Sequence, residues 1–477
     1  MSERSNLRVG LFGVGLGAYW SQFNGLEERL RGYINTVGGR LRKPGCDVTN
    51  FGLVDDHESA LAVGHEARVH DIDILVIYVA TYALSSTILP VVRRARVPVL
   101  VLNLQPTAAL DYQVFNALPN RTAMTGEWLA YCSACPMPEI ANVFARCGIP
   151  FHQVNGALDG DEVCWQEIDE WMDAARVAHI LSQTRLGLMG HYYSGMMDIA
   201  TDLVAVSHVF GVHVEQLEVD ELSRLRAEST ETTIRHHGAI IRETFDIQED
   251  CSDHEVERSA RTFAALEQMA TKYSLGAIAY YYKGAASEPN SDTMSSIILG
   301  ASFLTSRGIP VAGEYEIKNV LAMKILDSLG AGGSFTEYYT VDFDDDVVLM
   351  GHDGPGHPGI AEGKTKVRPL QVYHGKVGQG LSVEMSVRVG PVTLLSVVEC
   401  QRRGFKLLVA EGRTEKGPIL RIGNTNSRYR FSIGTRAFLE RWNSNAPAHH
   451  CAVGVGHLAR KLEKLGALLE IDVVRVC

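Results

Sequence analysis

From Leu7 to about Gly330, short apolar runs alternate with longer stretches of helical periodicity, and no other feature of this chain restricts its fold as strongly. The runs "LRVGLF", "DVTNFGLV", "IDILVIYV" and "VPVLVLNL" follow one another in this way, the grammar of βαβ units on a parallel sheet. A helix-rich stretch, "DGDEVCWQEIDEWMDAARVAHILSQTRL", leads out of this set, and "RLGLMGHYY" opens a second one that continues through "VHVEQLEV", "LGAIAYYY" and "IPVAGEYE". After Gly330 the pattern changes. "SFTEYYTVDF", "DVVLMGH", "TKVRPLQVYH", "LSVEMSVRV", "PVTLLSVVECQRRGFKLLVAEGRT" and "PILRIGN" are short alternating runs between Gly, Asp and Pro turns, which argues an antiparallel sheet or barrel. A helix, "HLARKLEKLGALL", and a strand, "EIDVVRV", close the chain. The expected fold is α/β: two parallel-sheet α/β domains, residues 1–183 and 184–330, then a C-terminal antiparallel, barrel-like β domain over 331–477.

A chain of 477 residues exceeds what one core usually organises, in keeping with this partition. Its net charge of −11 gives no electrostatic footprint for nucleic acid or an anionic membrane. A small molecule or another protein chain is the expected partner. The longest apolar runs fall short of the roughly 20 residues of a membrane span, and "MSERSNLRVG" shows no basic-then-apolar leader, so a soluble, cytoplasmic protein is expected. Nine cysteines are scattered along the chain, unlike a secreted disulfide framework. Cys132 and Cys135 form the one tight pair, and both are expected to be ordinary thiols.

"GVGLGAYW", residues 13–20, scans as G-x-G-x-x-A after a first strand and raises the question of a dinucleotide. The acidic residues that should close the second strand, Asp55 and Asp56, come at nearly twice the usual spacing of about 20 residues. Bulky Tyr19 and Trp20 stand where a helix should pack closely. An NAD-dependent oxidoreductase is therefore set aside. The three glycines allow a tight loop at the carboxyl edge of the sheet, and Tyr19 and Trp20 could offer aromatic faces to the apolar CH patch of a sugar. The alternative is a pair of aromatics buried under the first helix.

The C-terminal third carries most of the candidate chemistry. Strict alternation in "SFTEYYTVDF" puts Phe335, Glu337, Tyr339, Val341 and Phe343 on one strand face. Glu337 thus shares an apolar side, where a carboxylate needs a cation, a metal or a shifted pKa; a rim position or an Arg partner is the competing account. Glu314 in "IPVAGEYEIKN" lies just past a predicted parallel strand, at the edge where open α/β sheets place ligand groups. A helix N-terminus favours Glu there for dipole reasons as well. His352 and His357 stand in "GHDGPGHPG", where a solvated surface loop is the default reading, and His449-His450 form a doublet between two elements. Together these could form a mixed oxygen and imidazole metal site without thiolate, suited to Mn²⁺, Mg²⁺ or Co²⁺ over structural zinc.

"AGEYEIK", "GGSFTEYYTVDF", "LMGHDGPGHP" and "APAHHCAV" resemble, in order and context, the metal-site segments of the L-arabinose isomerase family within the arabinose and fucose isomerase superfamily. There the pattern runs G-E-G-D-W-K, S-F-x-E-D-Y-T, G-S-H-M and G-A-H-H. The resemblance implies that Glu314, Glu337, His352 and His450 hold Mn²⁺, with Co²⁺ or Mg²⁺ as substitutes, and that His449 contacts the sugar. It implies that Glu314 and Glu337 are the acid-base pair of an aldose-ketose isomerase working through an enediol, which needs one base and one acid. It also implies a homotetramer or homohexamer with active sites at subunit interfaces, where the loop carrying Tyr19 and Trp20 reaches a neighbouring site. The sugar-facing segments depart from the family: "GVGLGAYW" and "VATYALSS" replace G-S-Q-H-L-Y-G and H-T-F-S-P, and Asp353 and His357 are added beside the metal histidine. Asp353 and His357 are accordingly expected to read sugar hydroxyls, and the substrate is expected to be a pentose or deoxyhexose. The competing function is a non-catalytic sugar-binding or sensing protein on the same fold, which would not need both carboxylates.

Overall fold

Leu7–Val14 is apolar and buried along nearly its whole length, as a strand flanked on both sides must be. It is β1 of a computed structural model that describes residues 6–281, 288–370, 379–401 and 404–477. The chain divides into two compact units, Met1–His179 and Ile180–Cys477.

In the first unit β1 is joined by β2 (Cys46–Val54), β3 (Ile74–Val79), β4 (Val99–Gln105) and β5 (Phe151–Ala157) in the order β2-β1-β3-β4-β5, every pair parallel. The β-branched run of β3 is buried at every position and anchors a core with Phe12, Ile88, Val101 and Phe144. β5 reads "FHQVNGA" and lies outside the predicted runs, because an edge strand can be polar on its open side. Cys132 and Cys135 correct one expectation. They are joined in a disulfide, the turn between helices Arg121–Leu129 and Met137–Arg146 bringing their Cα atoms to 5.6 Å, within bridging range.

The second unit begins with β6 (Arg185–Met189) and β7 (His213–Leu217), followed by the short β8 (Asp246–Ile247), then β9 (Leu275–Tyr280) and β10 (Val311–Ala312). Four of these form a parallel sheet in the order β10-β9-β6-β7. The grammar then turns antiparallel, as expected, with β11 (Ser334–Asp342), β12 (Val347–His352), β13 (Lys366–Pro369), β14 (Leu381–Glu384), β15 (Gly390–Cys400), β16 (Gly404–Glu415), β17 (Thr425–Phe431), β18 (Cys451–Val455) and β19 (Asp472–Arg475). Seven make one sheet, β15-β18-β11-β12-β17-β16-β19, antiparallel apart from the β16–β19 pair, and β15 also pairs with β16. β13 and β14 leave it and join β8 in a small three-stranded sheet. "PILRIGN" is not a strand; β17 starts at Thr425 instead. Its buried Asn426, Ser427 and Arg428 break apolar alternation. Ser427 accepts from the Val387 amide at 2.8 Å, Arg428 pairs with Asp345 at 2.5 Å, and the Asn426 amide donates to the Leu420 carbonyl at 3.2 Å.

Helix Ile317–Ser328 links the two larger sheets of this unit. All its residues except Asp327 are buried, and it packs on β9 and β10 of the parallel sheet and on β11, β15 and β18 of the other. A helix covered on all sides needs apolar residues on all sides, and "IKNVLAMKIL" meets this with two lysines whose amines are satisfied. Lys324 donates to the Gly308 carbonyl at 2.8 Å, and Lys318 to the carbonyls of Asp198 and Ala200. Among the described residues no helix is long and apolar enough to cross a membrane.

Candidate metal centre

Strand register assembles one half of the centre. β11 pairs with β18 through Thr336 and Cys451 and with β12 through Glu337 and Gly351. Continuing the antiparallel ladder by one residue sets Glu337 beside His450 on one side, with His352 one residue past its other partner. Ligand atoms of Glu337, His352 and His450 indeed lie within 4.8 Å of one another. The close approach demands glycine at 351, since a Cβ there would stand 1.8 Å from the Thr425 carbonyl oxygen. Glu337 is half-buried. The strict alternation expected along its strand fails: the ladder shifts between Tyr338 and Thr340, and Phe343 is 52% exposed. An extra residue in one strand moves everything beyond it to the other face.

The other half comes from the parallel sheet. β10 ends at Ala312, and Gly313 leads into Glu314 and Tyr315, which hold φ values of 57° and 59° before helix Ile317–Ser328 begins. Two successive left-handed residues that are not glycine cost roughly 1–3 kcal/mol each and cluster at functional sites. The turn is held by Tyr315 N–H donating to the Tyr280 carbonyl at 2.8 Å and Glu316 N–H to that of Gly313 at 3.1 Å. It directs the Glu314 carboxylate between two imidazoles, 3.5 Å from His450 Nε2 and 3.8 Å from His352 Nε2. Glu314, His449 and His450 form a second group with ligand atoms within 4.8 Å, sharing His450 with the first.

Burial sets the electrostatics. His450 is 1% exposed, and desolvation, then the neighbouring His352 and His449, hold its imidazole well below the usual range. Neither of its ring nitrogens has a hydrogen-bond partner among the described residues, a costly state for a buried donor and acceptor. A cation bound by one nitrogen removes that cost. The donor set is two carboxylates and two or three imidazoles with no thiolate, which suits Mn²⁺, Co²⁺ or Mg²⁺.

Glu316 is a residue the sequence reading passed over. It is fully buried, 3.6 Å from His450 Nδ1, and burial pushes its carboxyl up to about 8 despite Lys318. The only signal was a second acid two residues after Glu314 in "GEYE", and an acid at a helix start reads as ordinary. Asp198 was also missed: it accepts from His449, a contact spanning 251 positions.

The remaining candidates divide between the units. His352 closes β12, with its N–H donating to Thr425 Oγ1 at 2.7 Å. Asp353 and His357 follow in a buried segment, which overturns the solvated-loop reading. Burial lowers His357 to about 4. Neither Gly354 nor Gly356 in this segment has positive φ. What Gly356 provides is room, because a Cβ would meet Met385 Sδ and Thr425 Cγ2 at 3.0 Å. Tyr19 and Trp20 belong to the first unit, both half-buried. Trp20 covers Gly15 and donates its indole N–H to Asp55 at 2.5 Å, so the carboxylate that a dinucleotide ribose would require is already engaged.

Residues 332–472 match the family model for the L-arabinose isomerase C-terminal domain. Comparison with curated protein sequences finds no match. Solved structures with some likeness include an ABC transporter solute-binding protein from Burkholderia multivorans, 13% identical over 64% of this chain and 97% of that one at a TM-score of 0.17. A periplasmic sugar-binding protein from Legionella pneumophila is 10% identical over 65% of this chain and 100% of that one at a TM-score of 0.13. The stretch that supplies Glu337, His352 and His450 is thus similar to the C-terminal domain of L-arabinose isomerases.

Proposed function

We propose that this protein is a divalent-metal-dependent aldose-ketose isomerase acting on a pentose or deoxyhexose. The observation that carries this reading is the convergence of Glu314, Glu337, His352 and His450, from two different sheets, the last three lying in the stretch matched to the L-arabinose isomerase C-terminal domain. The extra β15–β16 pairing supports a barrel-like C-terminal domain. Glu314, Glu337, His352 and His450 would hold the cation, Mn²⁺ by preference. When bound, it polarises adjacent sugar oxygens and steadies negative charge on them.

The chain's own residues supply the proton transfers. Aldose and ketose differ by a proton moved between neighbouring carbons and one moved between their oxygens, by way of an enediol. One glutamate takes the carbon-bound proton and returns it to the neighbouring carbon, while the other gives a proton to the oxygen that becomes a hydroxyl and takes one from the oxygen that becomes the carbonyl. Asp353, His357 and His449 orient the remaining hydroxyls. Tyr19 and Trp20 supply aromatic contact to the sugar, contributed across the interface of a homotetramer or homohexamer, and the protein works in the cytoplasm.

The test is a panel of aldoses with added Mn²⁺, scored for ketose. We expect turnover of at least one pentose or deoxyhexose, lost with EDTA and restored by Mn²⁺ or Co²⁺ better than by Ca²⁺. Turnover in a preparation shown to be metal-free by elemental analysis refutes the centre. Sugar binding without any ketose formation identifies a binding protein instead.

A further inference from the structure

His449 and His450 are consecutive, yet their surroundings differ: His450 is buried and His449 exposed. His449 is tied to a residue far away in the chain. The loop after β6 carries Asp198 in a single helical turn, Met197–Ile199, and Asp198 Oδ2 accepts both the His449 backbone N–H at 2.9 Å and ring Nδ1 at 2.6 Å. An ionised carboxylate only accepts, so Nδ1 is the ring's donor toward Asp198, and in the imidazole form the lone pair falls on Nε2. The loop is itself anchored. Buried Lys318, four residues past Glu314, donates to the carbonyls of Asp198 at 2.7 Å and Ala200 at 3.0 Å. One chain of contacts therefore runs from the helix that starts at the metal centre, through the loop, to the orientation of His449.

We infer that Asp198 is a positioning residue that fixes His449 in its Nδ1-protonated form and turns Nε2 outward to accept a hydrogen bond from a sugar hydroxyl. This rests on the isomerase reading for the identity of the ligand, but the ring's protonation pattern belongs to the protein alone. A donor hydroxyl is what such a nitrogen recognises, so the substrate position facing it must carry an O–H and not an ether or carbonyl oxygen. Asp198→Ala is the informative change. It removes both oxygens that Nδ1–H can donate to, whereas an Asn could go on accepting through Oδ1, so the ring loses what holds the proton on Nδ1.

The experiment has two arms. In ¹⁵N-histidine-labelled protein loaded with Mg²⁺, with His449→Gln used to assign the signals, the parent should show a protonated Nδ1 and a bare Nε2 at His449, and Asp198→Ala should shift the proton toward Nε2. With Mn²⁺ and the best aldose of the panel, Asp198→Ala should raise KM about 10-fold or more, the scale seen for supporting groups of this kind. Mn²⁺ affinity should stay within about twofold of the parent, and Asp198→Glu should recover part of the loss. A merely structural role would weaken metal binding in parallel, and that outcome, or an unchanged ring pattern, or an unchanged KM, overturns the inference. If the parent converts no aldose, the isomerase reading falls, and the nitrogen signals still decide the role of Asp198.

Discussion

At the scale of single residues, the centre is built from groups whose environments penalise them. Glu314 sits at a positive φ, His450 is buried with both ring nitrogens lacking hydrogen bonds among the described residues, and Gly351 leaves no room for a side chain. Glu314→Gln and Glu337→Gln keep volume and remove the proton-transfer group. At saturating Mn²⁺ each should lower kcat by roughly 10²- to 10⁴-fold, and parent-like turnover by either variant removes that glutamate from the acid-base pair. Gly351→Ala forces a Cβ into the Thr425 carbonyl and should destabilise the protein by about 2 kcal/mol or more, read as a lower urea midpoint. Glu337 was legible in the sequence because a carboxylate on an apolar strand face is unusual. Glu316 was not, because an acid before a helix has an ordinary explanation.

At the scale of elements, helix Ile317–Ser328 is the piece on which the geometry depends. It touches the two larger sheets of the second unit and begins three residues after Glu314. Leu321, 1% exposed at its middle, should cost about 2–5 kcal/mol when cut to Ala. Because the helix start sets the turn that carries Glu314, the variant should also lose Mn²⁺ affinity at temperatures where it stays folded, measured by calorimetric titration. Unchanged Mn²⁺ affinity in the folded variant would show that the turn is held by the sheet ends alone. The helix itself could be read from its apolar spacing. Its burial on every side could not, since Lys318 and Lys324 resemble solvated positions until their carbonyl partners are known.

Across the whole molecule, the two units hold separate cores and should respond to different conditions. In the first, Asp73 accepts from Arg8 and pairs with His179. Burial raises its carboxyl, and the hydrogen bonds from His179 and Arg8 outweigh that and hold it at about 2. A carboxyl held below its ordinary value stabilises the fold above that value, and the contribution disappears as pH falls through the lowered one. The contribution, about 2 kcal/mol at neutral pH, should fade between about pH 5 and pH 2. Urea unfolding of the parent and Asp73→Asn should show a stability gap at pH 7 that narrows steadily over this range; a gap independent of pH contradicts the assignment.

The sequence by itself determined the order of elements and the change from parallel to antiparallel grammar near Gly330, because periodicity and turn residues are local and each element carries its own. It also marked Glu337 by its place on an apolar strand face, and Glu314 and the histidines by the resemblance of their segments. Only the tertiary structure decided which of them meet. Antiparallel register sets Glu337 beside His450 and next to His352, a left-handed turn swings Glu314 in from another sheet, and a loop 251 positions away engages His449. Register and crossover are decided by packing summed over whole sheets, and no short stretch of sequence contains that sum.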